Sequence, residues 1–480
     1  MAATSLQSVC DSVMSSGATE SLSDTYSSLR TQWTHDVAGV AYVVHIILKW
    51  KRTVAAIQAI AKHALIKAFR GETFKAGEGP LTKELLAYLL SQHHDMEGLS
   101  VTSCRYESLG TGTVGFLSNM YRLKLKYKQD DNINVNRRLI LARNAEYKSS
   151  PPATLVMKCP GYYDAHFEQM AEETKCYERE HLFYTKLAPI LSKMNTVAAS
   201  DSGTIKFPLV YRSELNRNSE KASYILMEDL CKTCVRGNQI EGISPRRAEA
   251  LVLSAAHLHA SFWEGREGSA PIPDFVVHGD DSGSFLFKLQ SDFMRTYPKL
   301  VASRGYKPFG AGMPEEYVKG VARRIYKKSD WILSYMCKST PQTLIHADYR
   351  ADNMMHRKTE MDSVVVDWQM YCRAAGVYDV CNILIPSMCV GERREHCVRL
   401  VRLYHNALVE RGVVGYSWEN LWHDFRMACL QISFLMGILS TGIGDHGELK
   451  QDFSAFDLCS AAFQRVVFAI SDYNCLKLIS

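Results

Sequence analysis

The chain has 480 residues, of which 46% are hydrophobic and 22% charged, an ordinary balance for a folded protein of about two or three domains. Its net charge of +5 is small for this length, gives no sign of a nucleic-acid-binding face and suits an anionic small ligand. The 14 cysteines follow neither disulfide-framework nor zinc-site spacing, so reduced thiols and a cytoplasmic location are expected.

The N-terminal region is predicted to precede the main folded domains. Residues 1–35 are rich in serine and threonine and are expected to form a poorly ordered tail, followed by a helical extension and glycine-rich linker over 36–80. The apolar run 37–48 is too short to cross a bilayer comfortably. The basic amphipathic pattern that follows can lie on an anionic membrane surface, so residues 36–70 are a candidate for peripheral membrane contact. Packing against the rest of the chain is the favoured interpretation.

Two domains are predicted after the linker. Residues 81–235 carry strand patterns, namely a hairpin over 101–128, a short buried strand ending at Pro160 and the apolar strand "ASYILMEDL", with a helix over 172–191 and a polar hairpin insertion over 129–152. Residues 236–480 are mainly helical, with two short strand patterns, "TLIHAD" and "SVVVDWQ". The sequence therefore predicts an α+β protein with a ligand cleft between a small β-rich domain and a larger helical one.

The segment "GTGTVGF" places Gly110, Gly112 and Gly115 in a G-x-G-x-x-G arrangement. A strand follows these glycines, which is the setting of a hairpin loop that covers the phosphates of ATP, whereas a dinucleotide fingerprint opens a helix. Glycines allow the backbone N–H groups to approach the phosphates closely. A glycine hairpin without a ligand is the alternative interpretation.

Lys158 stands in the apolar strand "TLVMKC", where burial of a lysine is costly unless the ammonium is paired. A strand lysine can hold the α- and β-phosphates of ATP when a helix glutamate orients it. Glu180 lies beside the apolar face of the next predicted helix, and Glu178 is the nearby alternative. The competing interpretation is an edge-strand lysine whose ammonium reaches solvent.

The segment "LIHADYRADNMMH" carries four polar candidates, His346, Asp348, Asp352 and Asn353. A phosphoryl-transfer site needs a carboxylate that accepts the proton of the attacking hydroxyl and an oxygen ligand that holds Mg²⁺ against the phosphates. Asp348 suits the first role and Asn353 the second. His346 is expected to brace the loop backbone, and Asp352 is expected to be a surface neighbour.

Asp367 follows the apolar "VVV" and is expected at the end of a buried strand. Two short strands with a tight connection would bring Asp348, Asn353 and Asp367 to one rim. Magnesium accepts few carboxylates together with phosphate oxygens and water, so Asp367 and Asn353 form a candidate Mg²⁺ site.

In combination, these segments resemble the aminoglycoside phosphotransferase and choline kinase group. "HADYRADN" is similar to the H-x-D-x-x-x-x-N catalytic loop of that group, and "VVVDWQ" with Gly376 and Asp379 is similar to its metal-binding segment. The segments "AHLHASFW", "EREHLFY" and "RLYHNALVERG" most resemble the ecdysteroid kinase-like (CHK kinase-like) branch. The resemblance covers about residues 80–475.

The resemblance implies a bilobal protein-kinase-like fold, with an N-lobe over 81–235 and a C-lobe over 236–480, and ATP-dependent phosphorylation of a small-molecule hydroxyl. It implies Asp348 as the base, Asn353 and Asp367 as Mg²⁺ ligands, and Lys158 with Glu180 as the phosphate-holding pair. The segment "MEDL", with Glu228 and Leu230, is implied as the hinge that binds adenine. One departure is Ala347, which stands where the group has glycine and disfavours a positive φ.

Steroid-like alcohols are the favoured acceptor class, with choline-like amines and hydroxy-acyl compounds as alternatives. A second hypothesis is a nucleotide-binding pseudokinase or scaffold tethered through residues 36–70. Protein kinase activity is disfavoured because "DWQ" replaces Asp-Phe-Gly and no Ala-Pro-Glu segment follows.

Overall fold

Alternating apolar residues in the first described segments form strands, as their period of two predicts. The computed structural model describes residues 99–109, 118–129, 152–161, 165–197, 203–215, 223–302, 314–357, 362–435 and 453–480. The predictions for residues 1–35 and 36–80, for the glycine loop and for nearly all of the 129–152 insertion lie outside these ranges.

The described N-terminal part contains a five-stranded antiparallel sheet in the order β1–β2–β3–β5–β4. Its strands are β1 (Leu99–Ser108), β2 (Ser118–Gln129), β3 (Thr154–Pro160), β4 (Val210–Glu214) and β5 (Tyr224–Glu228). In the central strand β3, Leu155 and Met157 pack into an apolar cluster on one face, whereas Val156 faces the main core on the other. Lys158 has the same parity as Val156, so its side chain lies on the core side of the sheet.

The helix predicted over 172–191 is divided into several pieces. The described helices here are α1 (Ala165–Thr174), α2 (Cys176–Leu182) and α3 (Ala188–Val197). Lys175 separates α1 from α2 with a left-handed φ of 49°, and a π-helical turn, Phe183–Leu187, joins α2 to α3. The apolar periodicity predicted a helical region correctly, but a left-handed residue leaves no mark on that periodicity.

Helical patterns in "SPRRAEALVLSAAHLHASFW" and over 315–338, 391–411, 418–440 and 450–472 predict five helices in the C-terminal part, and the described structure has a helix in each of these ranges. In the described residues this part contains α4 (Pro245–Ser261), α5 (Phe285–Ala302), α6 (Glu315–Ser334), α7 (Val377–Leu384), α8 (Val390–Glu410), α9 (Trp418–Ile432) and α10 (Phe453–Asp472). Capping contributes to these boundaries: the Ser244 hydroxyl accepts a hydrogen bond from Arg247 N at the start of α4, and Pro245 takes the first helical position. Helices α5 and α7 had not been predicted.

The prediction of only two short strands after residue 245 is wrong. The described C-terminal strands are β7 (Gln342–Ile345), β8 (Met354–Arg357), β9 (Ser363–Val365) and β10 (Cys372–Ala375). Strand β7 pairs with β10, while β8 and β9 form a hairpin that pairs with β6 (Cys234–Arg236). Strands of three or four residues are too short for a recognisable period in the sequence.

The architecture is α+β, with a small β-rich part followed by a larger, mainly helical part, as the sequence predicted. One apolar core extends from Phe183 and Leu187, which follow α2, to Tyr349 and Trp368 in the C-terminal part. Of the helices that the structure describes, none has the length and apolar character needed to span a membrane.

Candidate active site

Lys158 joins the sheet to the helical part of the protein through two ion pairs. Its Nζ lies 2.7 Å from Glu180 Oε2 in α2 and 2.5 Å from Asp367 Oδ1, which follows β9. The three residues are separated by up to 209 positions in the sequence. Lys158 is 7% exposed and Glu180 1% exposed, so this contact is nearly dry. Glu180, rather than the half-buried Glu178, is thus the glutamate that meets the lysine.

Lys158, Glu180 and Asp367 shift one another's pKa values. Burial lowers the pKa of Lys158, but the charges of Asp367 and Glu180 outweigh it and the pKa is raised overall. Burial raises the pKa of Glu180 to about 7, with Lys158 opposing the rise and Asp367 adding to it. Burial also raises the pKa of Asp367, but the ammonium of Lys158 outweighs this and lowers it overall. A charged lysine therefore pairs most strongly with an ionised Asp367.

Asp348 lies in the loop after β7, where two side chains hold it. Asn353 Nδ2 donates to Asp348 Oδ2 at 2.7 Å and to the Asp348 carbonyl at 2.9 Å. Arg350 Nε donates to Asp348 Oδ1 at 3.1 Å. Because the Asp348 side chain keeps 18% of its surface exposed, its carboxylate is fixed in place and still accessible. This arrangement suits a carboxylate that receives a proton from a bound hydroxyl.

His346 supports this loop through hydrogen bonds at both of its ring nitrogens. Its Nδ1 accepts a hydrogen bond from Asp348 N at 3.2 Å, and its Nε2 lies 3.1 Å from the carbonyl of Val366. Since Nδ1 accepts, Nε2 carries the hydrogen and donates to Val366. One fully buried imidazole thus ties the loop that carries Asp348 to the residue before Asp367.

Ala347 adopts a left-handed backbone conformation, with φ of 66°, although it has a Cβ. Both oxygens of Asp379 hold this part of the loop: Oδ2 accepts from His346 N at 2.7 Å and Oδ1 accepts from Ala347 N at 2.9 Å. Asp379 is fully buried. The replacement of glycine by alanine therefore leaves the left-handed loop in place, and strain at Ala347 is offset by two charge-assisted hydrogen bonds.

Replacing Ala347 with glycine is expected to raise the free energy of unfolding by about 0.5–1 kcal/mol, because the left-handed penalty of roughly 1–2 kcal/mol exceeds the entropy cost of glycine. Replacing it with valine is expected to lower this free energy by at least about 2 kcal/mol, since the site is fully buried and β-branched residues avoid this conformation. Urea titrations of the two variants test this. Equal effects of glycine and valine would show that φ at residue 347 is not strained.

Gly376, at the start of α7, lies so close to a buried hydrogen-bond network that no side chain would fit there. A Cβ there would lie 2.7 Å from Tyr404 Oη and 2.9 Å from His259 Nδ1. These two atoms are hydrogen-bonded to each other at 2.7 Å, and His259 Nε2 lies 3.3 Å from Asp379 Oδ2. In the described structure, Gly376 and Asp379 thus support the loop that carries Asp348.

The β8–β9 hairpin brings Asn353 and Asp367 together. Asn353 immediately precedes β8 and Asp367 lies two residues after β9, while Val366 N donates to the Asn353 carbonyl at 3.0 Å. The common rim expected for Asp348, Asn353 and Asp367 is present, but by a different route from the one predicted. The strand before Asp348 pairs with β10, and the hairpin that joins Asn353 to Asp367 uses β8, which the sequence had not revealed.

Trp368, directly after Asp367, packs the site against α2. Its ring stacks on Phe183 with the centroids 3.9 Å apart and the planes at 7°, and meets the edge of His346 at 4.6 Å. Arg179 reinforces this junction by donating to the carbonyls of Tyr371 (3.2 Å) and Gly283 (2.5 Å). These contacts fix the helix that carries Glu180 relative to the segment that carries Asp367. Sequence reasoning missed Arg179, although it adjoins Glu180 in the same motif.

Asp352 is not the surface residue that was expected. Its Oδ1 accepts from Gln239 N at 2.9 Å and its Oδ2 accepts from Arg350 Nη1 at 2.6 Å, with 13% of the side chain exposed. Arg350 and Gln239 were also missed. A partner that lies more than a hundred residues away, as Gln239 does, gives no local signal in the sequence.

The residues expected to bind a nucleotide are described in part. Gly110, Gly112 and Gly115 lie outside the described residues, but β1 and β2, which flank them, form the expected antiparallel hairpin. Ser118 Oγ, at the start of β2, is a buried atom without a hydrogen-bond partner among the described residues, so it is a candidate donor to a phosphate oxygen.

The predicted hinge adjoins a small cluster of buried apolar side chains. The Glu228 carboxylate accepts from Leu209 N at 2.9 Å, and the amide of Leu230 donates to no described residue. Leu230 packs with Cys234, Met355 and Val364. The Leu230 amide is thus available to donate to a ligand at the predicted hinge.

Asp367 and Asn353 also fit a divalent cation. Both present oxygen atoms, the donors that Mg²⁺ prefers, and the ionised Asp367 already holds a cationic ammonium at 2.5 Å. The Asn353 amide nitrogen is engaged with Asp348, which leaves its carbonyl oxygen without a described donor. The residues present are therefore compatible with a magnesium ion next to bound phosphates.

A family comparison covers the part of the chain that carries these residues. The sequence profile of the ecdysteroid kinase-like family matches residues 113–412, more than half of the chain. The matched range contains Lys158, Glu180, Asp348, Asn353 and Asp367. No curated protein matches the sequence significantly.

Several solved structures are similar to the chain at low sequence identity. Spectinomycin phosphotransferase, solved with ADP and spectinomycin, is 11% identical with a TM-score of 0.42, over 82% of this chain and 100% of that chain. Ethanolamine kinase from Plasmodium vivax is 10% identical with a TM-score of 0.39, over 76% and 81% of the two chains. Choline kinase from Streptococcus pneumoniae is 11% identical with a TM-score of 0.39, over 81% and 98%.

Proposed function

The chain belongs to the ecdysteroid kinase-like family, and from this premise and its site geometry we propose that it is an ATP-dependent phosphotransferase that phosphorylates a hydroxyl group of a small molecule. The observation that carries the proposal is the contact of Lys158 with Glu180 and Asp367 beside the Asp348–Asn353 pair. Such an assembly of one cation and four oxygen-bearing side chains fits phosphoryl transfer better than it fits a structural role.

The residues of the chain take complementary roles. Lys158, oriented by Glu180, binds the phosphates of ATP, and the loop with Gly110, Gly112 and Gly115 covers them. Glu228 and Leu230 bind the adenine ring through their backbone. Asp348 orients the acceptor hydroxyl and accepts its proton.

Asn353 and Asp367 would hold Mg²⁺, which neutralises phosphate charge when it is bound. Glu180 holds the Lys158 ammonium in the site independently of Asp367, which leaves the Asp367 carboxylate available to a cation.

A steroid-like alcohol is the favoured acceptor, because the chain belongs to the ecdysteroid kinase-like family. A choline-like amine or a hydroxy-acyl compound is the alternative. A cytoplasmic enzyme whose residues 36–70 contact a membrane surface would have access to an apolar acceptor.

An ATP-consumption screen tests the proposal. The full chain is incubated with Mg²⁺ and ATP in the presence of sterols with free hydroxyls, choline-like amines or hydroxy-acyl compounds, and phosphorylated products are identified by mass spectrometry. We expect ATP turnover with one of these classes of acceptor, and sterols are the class for which we most expect it. Tight ATP binding without turnover on any class would contradict the proposal and favour a pseudokinase scaffold. Transfer to a protein substrate alone would contradict it in favour of a protein kinase.

A further inference from the structure

Arg350 lies two residues after Asp348 and donates hydrogen bonds through two of its three guanidinium nitrogens. Its Nε donates to Asp348 Oδ1 at 3.1 Å, and its Nη1 donates to Asp352 Oδ2 at 2.6 Å and to Gln239 Oε1 at 3.2 Å. Its Nη2 donates to no described residue. The side chains of Arg350 and Asp348 are 19% and 18% exposed, so both border accessible space.

The guanidinium is permanently charged and held rigidly. Burial lowers the pKa of Arg350, but Asp348, Asp352 and Asp367 outweigh this and raise it overall. Gln239, which accepts from Arg350, is itself fixed by Arg465 of α10, whose Nη1 donates to the Gln239 carbonyl at 2.5 Å. A charge that is fixed before the ligand binds needs no reorganisation during the reaction.

A purely structural role for Arg350 leaves one observation unexplained. Two acceptors on Asp352 and Gln239 are enough to hold Nη1, yet the same group also reaches Asp348 and leaves Nη2 unused. A guanidinium can donate to Asp348 through Nε and still keep a separate donor group, Nη2, available for a ligand. The unused donors lie on the same group that orients the proposed base.

We propose that Arg350 is a further catalytic residue: its Nη2 donates to the phosphoryl group in flight while its Nε orients Asp348. This inference rests on the proposed function. In the reaction, the acceptor oxygen bonds to the γ-phosphorus, the bond from that phosphorus to the bridging oxygen breaks and ADP leaves with the electron pair. The hydroxyl proton moves to the Asp348 carboxylate. Arg350 stabilises the negative charge on the equatorial phosphoryl oxygens, where a single arginine can have a large effect on rate.

The test compares Arg350→Ala and Arg350→Lys with wild type in the full chain. Expected in the alanine variant is a kcat roughly 100-fold or more below wild type, with the KM for ATP changed less than about threefold, because the interaction forms mainly in the transition state. Lysine is expected to restore little, since it cannot serve Asp348 and a phosphoryl group together. Added guanidinium ion should recover part of the lost rate in the alanine variant only.

A second measurement separates catalysis from structure. Aluminium fluoride with ADP mimics the transferring phosphoryl group, so Arg350→Ala should weaken binding of ADP with aluminium fluoride by at least about tenfold while affinity for ADP alone is retained. Arg324→Ala, which removes an exposed arginine of α6, is the matched control and should change neither quantity.

Two results would overturn this role while leaving the proposed function intact. One is a fall in kcat of less than about threefold in Arg350→Ala; the other is an equal loss of affinity for ADP with and without aluminium fluoride. Absence of ATP turnover in the wild-type protein is distinguishable from both. Such a result would contradict the proposed function itself, and the role of Arg350 would fall with it.

Discussion

Replacing Asp348 with asparagine is expected to lower kcat by about 10³-fold, because the amide keeps the shape of the carboxylate but cannot accept the hydroxyl proton. The amide oxygen can keep the contact with Asn353 at 2.7 Å, which should hold the loop, whereas the hydrogen bond from Arg350 Nε at 3.1 Å is lost because the amide nitrogen cannot accept it. The affinity for ATP should stay within about threefold of wild type, since a proton acceptor contributes mainly to the transition state. Steady-state kinetics and calorimetric titration with ATP measure the two quantities.

Asp362→Asn is the matched control for this variant. Asp362 also lies next to the β8–β9 hairpin, but it pairs with Lys206 at 3.3 Å and Arg357 at 3.5 Å rather than with the candidate site. Its replacement should leave kcat within about twofold of wild type, as for other partly exposed ion pairs. Similar rates for Asp348→Asn and wild type would refute the assignment of Asp348 as the base.

Replacing Lys158 with methionine is expected to have two large effects. Without the ammonium, the buried Glu180 and the partly exposed Asp367 are left as neighbouring carboxylates, so the free energy of unfolding should fall by up to about 3–5 kcal/mol, the cost of breaking a fully buried pair. The variant also lacks the cation that holds the phosphates, so kcat/KM for ATP should fall by roughly 100-fold or more. Chemical denaturation and steady-state kinetics test these effects separately.

The neighbouring ion pair of Lys206 provides the control. Lys206 and Asp362 have side chains 33% and 27% exposed, so Lys206→Met should cost less than about 1 kcal/mol and leave catalysis unchanged. In Lys158→Met, added Mg²⁺ should raise the unfolding temperature more than in wild type, because Asp367 no longer has a competing ammonium. A Lys158→Met protein as stable as Lys206→Met would show that the Lys158 contacts contribute nothing to folding.

The sequence could predict those elements of the fold whose residue pattern is visible within a single segment. The repeated apolar positions of α4, α6, α8 and α10 and the strand of Lys158 needed no knowledge of neighbours. Strands β8 and β10 could not be predicted, because three or four residues do not establish a period and their partners lie elsewhere in the chain. Helix α7 is buried on all sides, so it lacks the polar face that marks an amphipathic helix.

The candidate site divides in the same way. Asp348, Asn353 and Asp367 were predicted because their chemistry and local context are visible in short segments, and the structure pairs Asp367 with Lys158 and Asn353 with Asp348. The supporting contacts of Arg179 and Gln239 were missed because each depends on a residue more than a hundred positions away. The conformation of Ala347 was also hidden, since it follows from the two amides that Asp379 holds.

The hold of Asp379 on His346 and Ala347 has a consequence for where the protein can move. Both amides donate to one buried carboxylate in α7, so they can exchange with solvent deuterium only when the helical core itself opens. The amides of His346 and Ala347, in the loop that carries Asp348, should therefore exchange as slowly as the amides of the helical core.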